Sequence, residues 1–173
     1  MADTQPDADA SFTPPEPGPE HRALQPFVGI FRATVSLYTV GPDPMVTYGE
    51  MTNRFQLGGF FLQQTFVGDL GPDGLSRFEG QGYWGYNQAT GLYEGFWIDT
   101  ASSIMQTETG SVDETGKIWT MTASLPHPEG GTIEKRAIIS LIDDDHHTME
   151  SLMSFNGAPE TRTMFLDYVR TGA

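Results

Sequence analysis

Short runs of strand-forming residues alternate with turn-forming clusters along the chain from Phe27 onward. The runs are rich in Val, Ile, Thr, Phe, Tyr and Trp, and clusters of Gly, Pro, Asn and Asp recur about every dozen residues. This alternation is typical of an antiparallel β protein. The predicted strands are residues 27–39, 46–56, 60–67, 76–86, 92–98, 103–109, 117–123, 132–142, 147–155 and 162–170.

The connections between the predicted strands are too short for the crossover helices that parallel strands need, so consecutive strands should pair antiparallel. Closing such a sheet removes its two open edges and leaves an internal cavity. A short helical turn over residues 20–24, between Pro19 and Pro26, is predicted to precede it. The sequence therefore predicts an all-β protein, a single antiparallel up-and-down β-barrel of about ten strands. A sandwich of two sheets is the alternative, because turn spacing alone does not distinguish the two folds.

The predicted hairpin of residues 78–100 has two faces of different character, because side chains alternate along a strand. The preferred register places Gly82 opposite Phe96. It also places Gly95 opposite Tyr83, so that an aromatic ring covers each bare glycine. The apolar face is then Phe78, Trp84, Tyr86, Leu92, Phe96 and Ile98, and the mixed face is Glu79, Gln81, Tyr83, Trp97 and Asp99. Which face points into the barrel is left open.

Glycine is frequent in this hairpin, where it withholds side-chain volume from the space between the rings. The glycines are Gly80, Gly82, Gly85 and Gly95. Because glycine weakens a strand, the cluster indicates either a sharp bend in the barrel wall or room left for a ligand. We expect an unfilled interior near Tyr83 and Trp97, with bending alone as the alternative.

Length and composition predict one domain. The chain has 173 residues, of which 38% are hydrophobic and 12% aromatic, enough for one core. Residues 1–18 are acidic and proline-rich and contain no Lys or Arg. Such a segment buries too little apolar area to offset its ordering entropy, so a disordered tail is expected before a barrel domain of residues 19–173.

Charge and the missing cysteines limit the classes of partner. The formal net charge of −14, with nine scattered Lys and Arg, argues against nucleic acid or an anionic membrane as partner. The chain has no cysteine, which excludes disulfides, thiolate metal sites and a catalytic thiol. No leader-like segment and no apolar run of about 20 residues occurs, so a cytoplasmic protein is expected.

Several short motifs share the order and spacing of one known family. They are Pro19-Glu20-His21-x-x-Leu24 followed by Phe27-Val28-Gly29, Leu57-Gly58-Gly59-x-Phe61-Leu62, Phe78-Glu79-Gly80-x-Gly82-x-x-Gly85-Tyr86, Trp97-Ile98-Asp99, Gly110-x-x-Asp113-x-x-Gly116-Lys117 and Arg136. Together they resemble the uncharacterised bacterial calycin-like family named domain of unknown function 1579, from about Pro19 to Tyr168. The resemblance implies a lipocalin-like barrel and no established activity. Barrels of this type often pair side by side, so a homodimer is one expected assembly.

Two residues depart from the pattern that the resemblance implies. Phe31 stands where such barrels usually place a tryptophan after Val-Gly, and Phe60 stands where the family often has arginine. The second departure would remove a polar contact and make the barrel interior more apolar than that of its relatives.

The candidates for ligand binding lie in or directly beside the predicted strands, and all are polar or aromatic except one methionine. They are Arg54, Gln64, Glu79, Tyr83, Trp97, Asp99, Met105 and Arg136. In the preferred register Glu79 and Asp99 lie opposite each other, and their repulsion would raise one pKa for general acid work if the pair is inside the barrel. Arg54, Glu134 and Arg136 would neutralise such a pair from inside, or form salt bridges on the outer surface.

No metal site or cofactor is predicted. Residues 143–147, Asp-Asp-Asp-His-His, read as a solvated turn, because adjacent residues on an extended chain point to opposite sides and do not converge on one ion. Some small calycin-like barrels such as nitrobindin hold haem through one histidine on a late strand. His147 is the candidate for that role here.

The leading functional hypothesis is a module that binds a small hydrophobic or amphipathic molecule inside the barrel. Phosphate-binding loops, the Gly-x-Ser-x-Gly elbow and the His-Glu-x-x-His motif do not occur in the sequence. The rival is a cofactor-free isomerase, cyclase or hydrolase that uses Glu79 or Asp99 as acid or base. A third hypothesis is a structural or interaction protein with a filled barrel.

Overall fold

The computed structural model describes residues 14–38, 43–69, 76–127 and 129–173, so most of the tail predicted for residues 1–18 lies outside the described residues. The strands are β1 (Gly29–Leu37), β2 (Met45–Gln56), β3 (Phe61–Asp69), β4 (Arg77–Asn87), β5 (Leu92–Asp99), β6 (Gln106–Val112), β7 (Ile118–Pro126), β8 (Thr132–Asp143), β9 (His146–Phe155) and β10 (Thr161–Gly172). Helical segments are α1 (Pro19–Arg22) and the 3-10 turns Gln25–Phe27 and Leu57–Gly59. Within the described ranges no helix is long and apolar enough to cross a membrane.

The described strands form one closed barrel. Each strand pairs antiparallel with the next along the chain, and β1 pairs with β10 to complete the circle. Closure removes the exposed strand edges that an open sheet would present. The predicted single up-and-down barrel is therefore confirmed, and the alternative of two packed sheets is wrong.

Alternate residues along each strand point into the barrel. On β7, for example, Trp119, Met121 and Ala123 are buried, whereas Ile118 and Thr122 are exposed. A strand needs this period of two when one of its faces packs on a core and the other meets solvent. The same alternation decides below which polar side chains reach the interior.

The N-terminal segment, residues 19–27, closes one end of the barrel, and we call it the plug. Its Leu24 and Phe27 are almost wholly buried among inward-facing residues of the strands. Asn53 Nδ2 donates a 2.9 Å hydrogen bond to Phe27 O, and the Tyr93 hydroxyl donates a 3.0 Å hydrogen bond to Glu20 O. Apolar burial and hydrogen bonds hold the plug in place, so this end of the barrel is blocked. The interior is therefore reached from the opposite end, where β1, β3 and β5 finish.

The register of β4 and β5 differs from the prediction by one residue. The observed partners are Trp97 for Gly82 and Trp84 for Gly95, where the sequence predicts Phe96 and Tyr83. An aromatic ring covers each glycine, as expected, but the rings are the larger indoles of the inner face.

The physical reason for this difference is the length of the turn. Asn87 pairs with Leu92, and Gly91, at φ +70°, donates a 2.8 Å hydrogen bond to Asn87 O. The loop between the strands therefore has one residue fewer than the predicted register requires. Since a one-residue slip turns every side chain of a strand to the other face, Trp97 and Asp99 point inward and Leu92 points outward.

Candidate functional site

A cavity of about 460 Å³ occupies the barrel interior above the plug. Its inner end, which we call the floor, is lined by Phe27, Trp84, His147 and Tyr168. Its outer end, which we call the rim, lies at the ends of strands and includes Leu37, Asp69, Asp99 and Gln106. The volume falls within the range of about 300 to 1,000 Å³ that is usual for small-molecule sites.

The wall between floor and rim is mainly apolar. It is formed by Val35, Met51, Phe66, Phe78, Ile139, Met149, Met164 and Leu166. These residues come from strands on all sides of the barrel, so a molecule inside would be surrounded. The predicted unfilled interior is confirmed at Trp97, whereas Tyr83 lies outside and stacks on Phe96 with ring centroids 5.6 Å apart.

Glycines of β4 make room for the indole of Trp97 against the barrel wall. A Cβ atom at Gly82 would lie 2.8 Å from Trp97 Cε3, and one at Gly80 would overlap the benzo ring. Real Cβ atoms do not approach other atoms so closely, so both positions need glycine. The cavity therefore exists partly because Trp97 lies flat on these glycines rather than across the interior.

Replacing Gly80 with alanine should push the Trp97 ring into the cavity. We expect the free energy of unfolding to fall by roughly 1 to 2 kcal/mol, as for other overpacked sites, and a cavity-bound dye to bind more weakly. Urea denaturation and dye titration measure the two effects. Gly172→Ala is the control, since its added methyl group would make ordinary contacts with Ile30. Equal stability of the two variants would contradict the proposed role of Gly80.

A polar network crosses one side of the wall. Glu108 Oε1 accepts a 2.9 Å hydrogen bond from Trp84 Nε1, and Glu108 Oε2 lies 3.9 Å from Lys135 Nζ. Lys135 Nζ also donates a 3.2 Å hydrogen bond to Gln106 Oε1. The side chains of Glu108 and Lys135 are each only 12% exposed. Such a pair is tolerated in a barrel wall because its opposite charges and hydrogen bonds offset the cost of leaving water.

Glu108, Lys135 and Gln106 are not among the predicted ligand-binding residues, although the sequence carries a signal for Lys135. Residues 134–136, Glu-Lys-Arg, are three consecutive charges inside a predicted strand. Strand alternation requires either the middle residue or its two neighbours to face inward. The prediction considered Glu134 and Arg136, but Lys135 faces the cavity and its neighbours face outward.

Asp99 is a carboxylate at the rim that two hydrogen bonds hold in place. Its Oδ2 accepts a 3.1 Å hydrogen bond from Trp97 Nε1, and its Oδ1 accepts a 2.9 Å hydrogen bond from the Ala101 amide. Among the described residues Asp99 has no salt-bridge partner. The side chain therefore presents a fixed negative charge beside an aromatic ring at the mouth of the cavity.

The structure places three of the eight predicted ligand-binding residues at the cavity: Gln64, Trp97 and Asp99. The other five lie outside the cavity. Arg54 and Met105 are exposed, and Tyr83 stacks on Phe96. Glu79 forms a salt bridge of 2.7 Å with Arg77, and Arg136 forms one with Glu160. Glu79 and Asp99 lie on opposite faces of the sheet, because Asp99 pairs with Gly80. The predicted carboxylate pair is therefore wrong.

His147 is the most unusual titratable group at the floor. Its ring is 6% exposed, stacks on Tyr168 at 4.6 Å, and meets Phe27 and Phe31 edge to face at 5.2 and 4.7 Å. Burial, with a smaller contribution from the nearby charge of Arg170, lowers the pKa of His147 from 6.5 to about 3. The imidazole is therefore neutral at physiological pH.

The solvated turn predicted for residues 143–147 is wrong at its end, because β9 begins at His146 and His147 is buried. The Asp145 amide donates a 2.9 Å hydrogen bond to Asp143 Oδ1 within the turn. His146 then points outward, where its Nε2 lies 2.5 Å from Asp167 Oδ1, and His147 points inward. Adjacent histidines thus face opposite sides of the strand, as the sequence predicts.

Comparison with known proteins agrees with this architecture. A family sequence model described as "Protein of unknown function (DUF1579)" matches residues 16–170. The chain belongs to the DUF1579 family. No curated protein matched the sequence significantly.

Solved structures similar to this DUF1579 protein show the same kind of fold. Rv2717c from M. tuberculosis is 18% identical with a TM-score of 0.66, and the alignment covers 90% of this chain and 99% of Rv2717c. The S-type phycobiliprotein lyase CPES from Guillardia theta is 12% identical with a TM-score of 0.57, covering 87% of this chain and 91% of the lyase. At these identities the likeness shows the fold alone.

The two residues that depart from the family pattern have different surroundings in this DUF1579 protein. Phe31 is fully buried against His147 and carries the Arg170 guanidinium 4.5 Å above its ring. Phe60 packs against His21 of the plug with ring centroids 5.2 Å apart and does not line the cavity. The expectation that Phe60 makes the interior more apolar is therefore wrong.

Proposed function

We propose that this protein binds a small apolar or amphipathic molecule inside its barrel. The observation that carries the proposal is the cavity of about 460 Å³, open at the rim and lined mainly by apolar side chains with a few placed polar groups. This combination is the usual composition of a small-molecule site. A barrel that served only as a scaffold would gain stability by filling this space.

A matched pair of substitutions tests the proposal. Val35 lines the cavity, whereas Val67 is exposed on the outer face of β3. Val35→Phe should fill part of the cavity and weaken binding of the neutral dye N-phenyl-1-naphthylamine by roughly ten-fold, and Val67→Phe should not change it. The rise in dye fluorescence on titration measures the affinity. Absence of dye binding by the parental protein, or equal affinities of the two variants, would overturn the proposal.

The enzyme hypothesis is supported by one observation, the position of Asp99 at the cavity. Glu79 lies on the outer face, so Asp99 would have to act as a single acid or base rather than as one of a pair. Asp99→Asn distinguishes the hypotheses. In an enzyme this variant binds the ligand but does not convert it, and mass spectrometry of the ligand after incubation shows no product. In a binding protein the parental chain also leaves the ligand unchanged.

The haem hypothesis rests on His147, whose neutral imidazole lines the floor. A neutral imidazole is the form that binds iron. Phe27, Phe31 and Tyr168 pack against this ring, so a bound haem would share the floor with three aromatic side chains. The absorption spectrum of the protein after addition of haem tests the idea, since histidine ligation shifts the main haem band and His147→Phe would abolish that shift.

A further inference from the structure

The floor of the cavity carries two polar side chains that form no hydrogen bond with other described residues. His147 and Tyr168 are 6% and 4% exposed, and both line the cavity. Their rings stack with centroids 4.6 Å apart and planes 17° from parallel, so the two side chains are neighbours at the floor. Among the described residues, no hydrogen bond joins the His147 imidazole or the Tyr168 phenol to another protein group.

Several other buried polar groups of this barrel have partners, whereas Asn53 Oδ1 and Trp119 Nε1 have none within the described part of the chain. The Tyr93 hydroxyl bonds to Glu20 O, Trp84 Nε1 bonds to Glu108, and Trp97 Nε1 bonds to Asp99. Because buried donors and acceptors are almost always satisfied, two adjacent ones without protein partners, facing a cavity, indicate groups that bind something inside it.

The charges of the side chains that line the cavity restrict the chemical class of that molecule. Burial lowers the pKa of His147 and raises the pKa of Tyr168, so the floor offers a neutral imidazole and a neutral phenol. The remaining charged lining groups are the carboxylates of Asp69, Asp99 and Glu108 and the ammonium group of Lys135. Asp69 and Asp99 lie at the rim, so their carboxylates repel an anion such as a fatty acid as it enters.

We propose that His147 and Tyr168 form a polar subsite at the cavity floor that binds the hydroxyl or carbonyl group of an uncharged apolar molecule. This inference rests on the proposed binding function and adds the chemical class of the ligand: an apolar alcohol, phenol or ketone that enters with its polar end first. The imidazole nitrogens and the phenol hydroxyl together supply a donor and an acceptor, so either group of the ligand is satisfied.

The test uses three ligands of nearly the same shape, 4-butylphenol, butylbenzene and 4-butylbenzoate, titrated into the full chain by calorimetry near neutral pH. The parental protein should bind 4-butylphenol about ten-fold more tightly than the anionic 4-butylbenzoate. Tyr168→Phe removes only the hydroxyl group, and it should weaken binding of 4-butylphenol about five-fold while leaving butylbenzene unchanged. His147→Phe should have the same selective effect.

Tyr93→Phe is the matched control, because it removes a buried tyrosine hydroxyl that bonds to Glu20 O and does not line the cavity. This variant should bind all three ligands as the parental protein does and should unfold at lower temperature. Tyr168→Phe should unfold at the parental temperature or above, since its hydroxyl has no partner to lose among the described residues.

The possible outcomes test the subsite and the ligand class separately from the binding function. If 4-butylphenol binds equally well to the parental protein and to both floor variants, the subsite is wrong and the binding function stands. If 4-butylbenzoate binds as tightly as 4-butylphenol, the uncharged class is wrong. If none of the three ligands binds, the subsite falls, and the dye titration of Val35→Phe and Val67→Phe decides the binding function separately.

Discussion

Replacing Arg170 with methionine is expected to lower the free energy of unfolding by about 3 to 4 kcal/mol, the largest effect of any substitution considered for this barrel. Arg170 Nη1 donates a hydrogen bond to Val28 O, and Nη2 donates one of 2.8 Å to Pro26 O. Its Nε lies 2.9 Å from Asp145 Oδ1. The side chain therefore ties β10 to the end of the plug and to the β8–β9 turn.

Methionine retains most of the apolar stem of Arg170 but leaves the carbonyl groups of Pro26 and Val28 without their donor. An unsatisfied buried carbonyl costs more than the net value of the hydrogen bond it loses. The expected result is a loose plug, observed as a lower midpoint in urea and faster hydrogen exchange in residues 19–27. Arg162→Met is the control, because Arg162 pairs with Glu150 on the exposed surface and should affect stability much less. Similar losses in the two variants would show that Arg170 does not hold the plug.

Lowering the pH from 7 to 5 is expected to remove about 2 kcal/mol of folding free energy through His147 alone. The pKa of His147 is about 3 in the folded protein and 6.5 in the unfolded chain. Below pH 6.5 the unfolded chain therefore binds a proton that the folded protein does not bind. The contribution of His147 to the free energy of unfolding is fully present above pH 6.5, and it is lost progressively as the pH falls toward 3.

Burial is the main cause of this lowered pKa, and the charged groups that face His147 modify it. Arg170 and His146 lower the pKa of His147, whereas Asp167 raises it. Urea denaturation of the parental protein and of His147→Phe at pH 7, 6 and 5 measures the effect. The difference between the two free energies should change by about 2 kcal/mol, because carboxylate titrations are common to both proteins.

His127→Gln provides the control for the pH series, since it removes a half-buried histidine outside the cavity, and the loss of about 2 kcal/mol through His147 should persist in this variant. A constant difference between the parental protein and His147→Phe would show that the buried imidazole takes up its proton in the folded state. The pH profile and the ligand titrations are independent, so either can fail without the other.

The number and order of the strands could be predicted because they depend on local pattern. Turn clusters separate the ten strand-forming runs, and the short connections force neighbouring strands to pair antiparallel. The same reasoning placed the helical turn before the first strand, where the structure has α1 (Pro19–Arg22). These features involve residues close together in the chain, so composition and spacing are sufficient to predict them.

The candidate site could be predicted only in part, because its members depend on register. A loop that is one residue shorter than expected brought Trp97 and Asp99 inward and separated Asp99 from Glu79. His147 and Lys135 reach the cavity through strand alternation, and their partners lie on strands distant in sequence. No local pattern states which of two adjacent charged residues faces the interior.

The sequence by itself determined the all-β class, the barrel of ten antiparallel strands and a glycine-rich hairpin covered by aromatic rings, since each follows from local propensity and turn spacing. Only the tertiary structure decided which face of that hairpin lines the cavity, that Glu108 pairs with Lys135, and that His147 lies neutral against Tyr168 at the floor. The physical reason is that burial, charge neutralisation and pKa depend on contacts between strands far apart in the chain, and a shift of one residue in register reverses them.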